Sequence, residues 1–285
     1  MYAITGITGQ VGASLAEALR ATEAPFRAIV RDTAKASRFV HAAIAELDDT
    51  PALTRAFEGA EAVFILLPPL FDPSPGFPES NRTITSIRDA LLASRPDRVV
   101  VLSTIGADAP HENLLSQLGR MEQALGELPM PVAFLRAAWF MENAQWDIVQ
   151  ARDTGVIDSY LQPLDRRIAM VATRDIGRLA AKLLRERWEG VRVVELEGPV
   201  RVSPDDVAAS LARTLHRDVV ARAVPRDAWE GRFREQGMKN PAPRMRMIDG
   251  FNEGWIDFRV GAVKGETSLD QVIAALVARD GISSG

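Results

Sequence analysis

Gly6, Gly9 and Gly12 recur every third residue between a short β-prone run at residues 2–5 and a segment in which Val11, Leu15, Ala18 and Leu19 repeat at helical spacing. A strand that turns through glycines straight into a helix can cradle a pyrophosphate. Gly6 would make the tight turn, Gly9 would admit phosphate close to the backbone, and Gly12 would let helix and strand pack together. The helix start adds unpaired N–H groups and partial positive charge. Thr8, Gln10 and Val11 lie in the same turn and are further candidate contacts. No Gly-Lys-Ser/Thr follows, which excludes a P-loop. A ligand-free βα turn is the competing reading.

The end of the next strand discriminates between dinucleotides. A lone carboxylate there holds a ribose 2′-hydroxyl, whereas an arginine suits a 2′-phosphate through charge-assisted contacts. Arg31 comes first, Asp32 second and Lys35 soon after, which points to NADP(H). The alternative is that Arg31 and Lys35 are solvated strand-end charges. Asp48 either faces the adenine or caps a helix. Leu67 and Pro68 close the apolar run at 62–67 and would offer backbone and apolar surface to the cofactor. Ser103 and Thr104 end a central strand on its carboxyl side, where open α/β sheets bind ligands. Ser103 would hydrogen-bond nicotinamide or substrate, or else cap the following turn.

These residues need a sheet to position them. Strand-like runs at 2–5, 26–30, 43–47, 62–67, 98–103 and 131–135 alternate with helical patterns at 50–57, 79–93, 113–125 and 140–152. That alternation implies βαβ crossovers and a mostly parallel sheet. The expected architecture is a Rossmann doubly wound α/β domain over residues 1–155. A smaller α+β C-terminal lobe is expected over 156–285, with the chain free to return to the core sheet. In this second half the pattern predicts a strand at 191–196 and helices at 204–215, 228–236 and 269–278. Residues 240–243, Asn-Pro-Ala-Pro, read as a break, and the proline-rich stretch 68–78 as a conspicuous loop.

Composition removes other chemistries. The chain has 285 residues, a net charge of −4, three histidines, two tyrosines and no cysteine. Thiolate nucleophiles, disulfides and Cys-ligated zinc are therefore excluded. His41, His111 and His216 lack metal-ligand spacing, so no metal is expected. The mild acidity, without a basic run, argues against nucleic-acid binding. No run approaches a membrane span, and no basic segment precedes the first apolar stretch, which predicts no secretory signal. A cytoplasmic location is expected. Oligomeric state has no signal in the sequence.

TGITGQVG at 5–12, IVRD at 29–32, LSTIGAD at 102–108, FLRAAWFMEN at 134–143 and GFNEGWIDF at 250–258 together resemble the NmrA-like branch of the atypical short-chain dehydrogenase/reductases. The resemblance implies a Rossmann domain, NADP(H) and a small lobe closing over the nicotinamide end. It also places Trp139, Phe140, Met141 and Asn143 along a substrate pocket with Trp255, each being equally a packing residue. The superfamily's usual Tyr-Lys pair is absent: Tyr2 precedes Gly6 and Tyr160 precedes Leu164 at that spacing. Many members of the branch keep a lysine ahead of a glutamate; Glu122 fits the glutamate, and Leu118 stands at the lysine position. No catalytic residue is assigned, with Ser103, His111 and Tyr160 as weak candidates. The resemblance implies an NADPH-dependent oxidoreductase passing hydride to a small, apolar, electron-poor acceptor of quinone, azo or imine type. The alternative is a noncatalytic NADP(H)-binding redox sensor.

Overall fold

The computed structural model describes residues 1–258 and 261–283. Its first half runs β1 (Tyr2–Ile4), α1 (Gln10–Ala21), β2 (Phe26–Val30), α2 (Thr33–Ala36), β3 (Ala42–Ile44), α3 (Thr50–Phe57), β4 (Ala62–Leu66), α4 (Pro78–Ser94), β5 (Arg98–Thr104), α5 (Ser116–Gly126) and β6 (Val132–Ala137). Then follow β7 (Trp139–Phe140), a 3-10 helix at Met141–Asp147, α6 (Ile148–Thr154), β8 (Val156–Ser159), β9 (Met170–Val171) and α7 (Thr173–Arg185). The remainder is β10 (Val191–Glu197), α8 (Pro204–Leu215), β11 (Val220–Ala223), α9 (Trp229–Glu235), α10 (Ala242–Glu253), β12 (Val263–Lys264) and α11 (Leu269–Ser283).

Eight strands form one sheet in the order β12-β10-β6-β5-β4-β1-β2-β3, and every pairing is parallel. Central strands are buried on both faces, as the apolar runs predict: Ala62, Val63, Phe64 and Ile65 are all fully enclosed. Alternate residues feed two cores. Ile4, Phe64, Val100 and Leu102 face α1 and α7, while Ala3, Val63, Val99 and Val101 face α3, α4 and α5. The expected doubly wound Rossmann architecture is the observed one. The chain reverses its winding between β1 and β4, so their carboxyl ends flank the crevice where such sheets take ligands.

Beyond residue 155 the chain serves both parts. β10 and β12 extend the sheet and α7 packs along α1. The parallel pair β8–β11, with α8, α9 and α10, builds the smaller lobe.

Three elements differ from the sequence expectation. The helix expected from 113 starts at Ser116, because Asn113 closes a turn first: its Oδ1 accepts from the Leu115 amide, and Ser116 Oγ accepts from the Asn113 amide. The helix expected over 140–152 is divided into β7, the 3-10 helix and α6, since Trp139 and Phe140 pair with Met170 and Val171. The prolines of 240–243 do not simply break the chain; they lead into α10, with a proline in its first turn. The sequence expectation also omitted α7. Its Gly177 lets the helix backbones touch, since a Cβ there would lie 2.5 Å from the Leu15 nitrogen.

Candidate functional site

The glycine turn is built as its spacing implies. Gly6 has φ of +64° and Gly9 caps α1 without a side-chain hydrogen bond. A Cβ on Gly12 would lie 2.2 Å from the Gly6 carbonyl oxygen and 2.5 Å from Ile7 Cα. No other residue fits this contact between strand exit and helix. Thr5 Oγ1 accepts from the Leu66 amide at 2.8 Å and donates to the Phe64 carbonyl, clamping the ends of β1 and β4 together. Thr8, Gly9 and Gln10 are exposed at the resulting crevice, and Val11 is buried in the core below. The uncapped first turn of α1 thus presents its N–H groups outward, the donor set a pyrophosphate requires.

Arg31 and Lys35 come together with Thr8, Val30, Asp32 and Glu46 around a cavity of about 290 Å³ beside that turn. Asp32 does not stand free as a ribose-binding carboxylate: its Oδ1 caps α2, accepting from the Ala34 amide at 2.8 Å. The two cations are therefore left to define the pocket for an anion. Asp48 is exposed; its neighbour Asp49 caps α3, and the acidic wall of the cavity is Glu46. Leu67 and Pro68 continue from β4 at the same edge, Leu67 half-buried and Pro68 exposed.

Ser103 is buried at the end of β5 and its hydroxyl donates to Glu122 on α5. Glu122 is gripped bidentately by Arg136 of β6, at 3.0 and 2.7 Å. Strand register dictates this meeting, since Ser103 and Arg136 are paired partners across β5 and β6. Arg136 also reaches Asp108 at 2.9 Å and Glu195 at 3.7 Å. Glu122, by its hydrogen bonds and its charge, holds the guanidinium firmly protonated. In the sequence only the family resemblance points to Glu122, and nothing there gives Arg136 or Asp108 a role. Leu118 packs against the core on the α3–α5 face, so the lysine position carries no charge here.

Over this edge lies the C-terminal lobe. Trp139 meets Phe251 of α10 edge-on at 5.2 Å, and His111 meets Trp255 at 5.1 Å. The ring of Trp255 lies over Gly250, and Ile256 sits against Gly106 of the turn after β5. Trp139, Phe140, Asn143 and Thr104 are half-buried. Met141 instead packs in the core, its methyl against Gly198. Tyr160 stacks on Phe233 at 4.9 Å and meets Trp229 edge-on, which places it in the lobe's own aromatic cluster. Of the weak catalytic candidates, Ser103 is buried near the end of β5, and His111 is exposed beside Trp255. Phe251 lies in the quoted 250–258 motif, but no role for it follows from the sequence.

The larger cavity, about 730 Å³, lies between α1, α7 and α11 and touches the glycine turn only at Gln10. Its Arg178 pairs with Asp175 and Glu266, so the groove balances its own charge there. Among the described residues no group of acidic and histidine side chains is arranged to hold a metal, and no helix is long and apolar enough to cross a membrane.

Asp147 carries a testable consequence. Burial, with the nearby Asp158 charge adding to it, pushes its carboxyl from 3.8 up to about 7. The folded protein therefore holds a proton that the unfolded chain releases. Stability contributed by this group is full below about pH 4, declines as pH rises towards 7, and is flat above. Asp147→Asn should stabilise the protein by about 1–2 kcal/mol at pH 8 and leave it unchanged at pH 4. Urea unfolding at the two pH values checks this; equal effects at both would refute it.

A family model described as NAD(P)H-binding matches residues 6–187. An NAD(P)H azoreductase from Xenophilus azovorans is 26% identical over 225 residues, covering 77% of this chain and 75% of that protein. Quinone oxidoreductase 2 from Escherichia coli (strain K12) is 27% identical over 271 residues, covering 93% and 89%. The crystal structure of the Citrobacter sp. triphenylmethane reductase complexed with NADP(H) superposes with a TM-score of 0.78 at 19% identity, covering 96% and 99% of the two chains, a likeness of fold.

Proposed function

We propose, for a chain that belongs to the NAD(P)H-binding family, that it is an NADPH-dependent reductase of small, electron-poor acceptors of quinone or azo type. The observation that carries this reading is the cradle at Gly12, where a Cβ would collide with the Gly6 carbonyl, set beside an Arg31–Lys35 cavity. Those features fit a dinucleotide with a 2′-phosphate. The azoreductase and quinone oxidoreductase relatives support the acceptor class.

NADPH, when bound, supplies the hydride, so the protein's task is to hold and shield. The α1 N-terminus takes the pyrophosphate, and Arg31 with Lys35 takes the 2′-phosphate. Ser103 gives its proton to Glu122, leaving its lone pairs to accept from an amide or hydroxyl of a bound partner. It positions and does not acidify. Trp139, backed by the buried Phe251, and Trp255 offer half-buried apolar surface against which a flat acceptor lies. The proton that completes reduction comes from solvent at the rim, where His111 is exposed.

Two measurements test this reading. Acceptor-dependent loss of nicotinamide absorbance should occur with a quinone and an azo dye, and NADPH should serve better than NADH. Tight NADPH binding without oxidation by any acceptor would favour the noncatalytic sensor, a reading that the uncharged Leu118 also supports. Arg31→Asp should weaken NADPH about 50-fold while changing NADH less than about threefold. Equal weakening of both would remove the 2′-phosphate role.

A further inference from the structure

The cavity beside the glycine turn is lined by charges of both signs: Arg31 and Lys35 share its wall with Asp32 and Glu46. Strand register explains the meeting. β2 and β3 run parallel with Val30 beside Ile44, and the Ala45 amide donates to the Val30 carbonyl at 3.0 Å. The two strands therefore reach their carboxyl ends in step, and Arg31 and Asp32 leave β2 where Ala45 and Glu46 leave β3. Asp32 is occupied by the Ala34 amide. Glu46 has no such duty. Among the described residues its carboxylate accepts no hydrogen bond, and Arg31, Lys35 and Glu46 form no ion pair with one another or elsewhere.

Three charged side chains without partners, facing one cavity, are free to meet a ligand, and they select in opposite senses. The two cations attract a ribose 2′-phosphate, which carries a charge of about −1.5 to −2 near neutral pH. Glu46 repels the same group. A ribose 2′-hydroxyl reverses the preference, because it donates to a carboxylate and gains little from the cations. All three residues are exposed. Solvent and salt therefore keep each effect modest, and neither sense overwhelms the other.

We propose that Glu46 is a specificity residue that holds the preference for NADPH over NADH to a small factor, so that the site accepts both dinucleotides. The inference rests on the dinucleotide reading of this site and does not depend on turnover. With NADH bound, Glu46 accepts from the ribose 2′-hydroxyl. With NADPH bound, Arg31 and Lys35 take the phosphate, and the Glu46 carboxylate is an unfavourable neighbour. Arg31 and Glu46 thus set the preference in opposite directions from one cavity.

Calorimetric titration of NADPH and of NADH onto the wild type, Glu46→Gln and Glu46→Ala tests this. In the wild type the two Kd values should lie within about 100-fold of each other; a larger preference overturns the proposal. Glu46→Gln should tighten NADPH about fivefold and change NADH less than about twofold, since the amide oxygen still accepts while the charge is gone. Glu46→Ala should tighten NADPH alike and weaken NADH about fivefold. The NADPH gain should shrink as salt is raised, because it is Coulombic between exposed groups. A ratio of affinities that neither variant moves, or a shift of both dinucleotides in the same direction, overturns the role of Glu46 and leaves the dinucleotide reading standing. A wild type that binds neither dinucleotide overturns that reading and this inference with it.

Discussion

Gly12→Ala should raise the Kd for NADPH at least about 100-fold, or roughly 2.7 kcal/mol, and lower stability by about 1–3 kcal/mol. The added methyl would meet the Gly6 oxygen at 2.2 Å and Ile7 Cα at 2.5 Å. Both are backbone atoms, so no side chain can swing aside. α1 cannot simply retreat from β1, because α7 holds it from behind at the Gly177 contact. The turn must open instead, which displaces the N–H groups that would face the pyrophosphate. Nicotinamide fluorescence titration and urea unfolding read the two effects separately. Gly231→Ala is the control: nothing lies within 4 Å of its Cβ position, and alanine suits a helix better than glycine. Wild-type affinity in Gly12→Ala would mean that the turn does not approach a ligand at all.

Arg136→Met should cost about 3–5 kcal/mol, the penalty for stripping the partner from a buried charge. The side chains of Arg136 and Glu122 are only 11% and 12% exposed. Loss of the guanidinium leaves Glu122 facing Asp108 and Glu195 without a cation of this network between them. Adding Glu122→Gln to Arg136→Met should recover much of the loss, so the double-mutant cycle should show strong coupling. Without Arg136 the side chain at 122 that accepts from Ser103 is no longer pinned, so kcat/KM should fall alongside stability in Arg136→Met. Urea unfolding with a constant m-value checks the energetic part. A loss below about 1 kcal/mol, the range of exposed pairs, would show that solvent screens the network.

The parts of this site that were readable in sequence are those made by neighbours along the chain. The glycine turn needs only strand, turn and helix in succession, and Arg31 with Lys35 needs only a strand end. Both lie where spacing implied. The Ser103–Glu122–Arg136 network joins two strands and a helix, and it exists because register sets Ser103 beside Arg136. Nothing in local spacing encodes that register. Helix α10 is a different case: residues 240–243 read as a break, although proline is also suited to a helix's first turn, and no helix is expected directly after it. Glu46 lines the cavity beside Arg31, a position for which the sequence carries no local signal. Tyr160 drew attention as one of only two tyrosines, yet its ring packs against Phe233 and Trp229 within the lobe.

Under the proposed function, this chain supports reduction by NADPH without a tyrosine–lysine proton relay or any substitute for it among its side chains. Rapid mixing of the preformed protein–NADPH complex with naphthoquinone, followed at the nicotinamide absorbance, tests it most directly. A single-turnover decay is expected in the wild type, and a His111→Phe/Tyr160→Phe double variant should keep it within about threefold, since a general acid contributes on the order of 100-fold or more where one operates. Bound NADPH that persists in the wild type, or a decay abolished by the double variant while NADPH still binds, would contradict it.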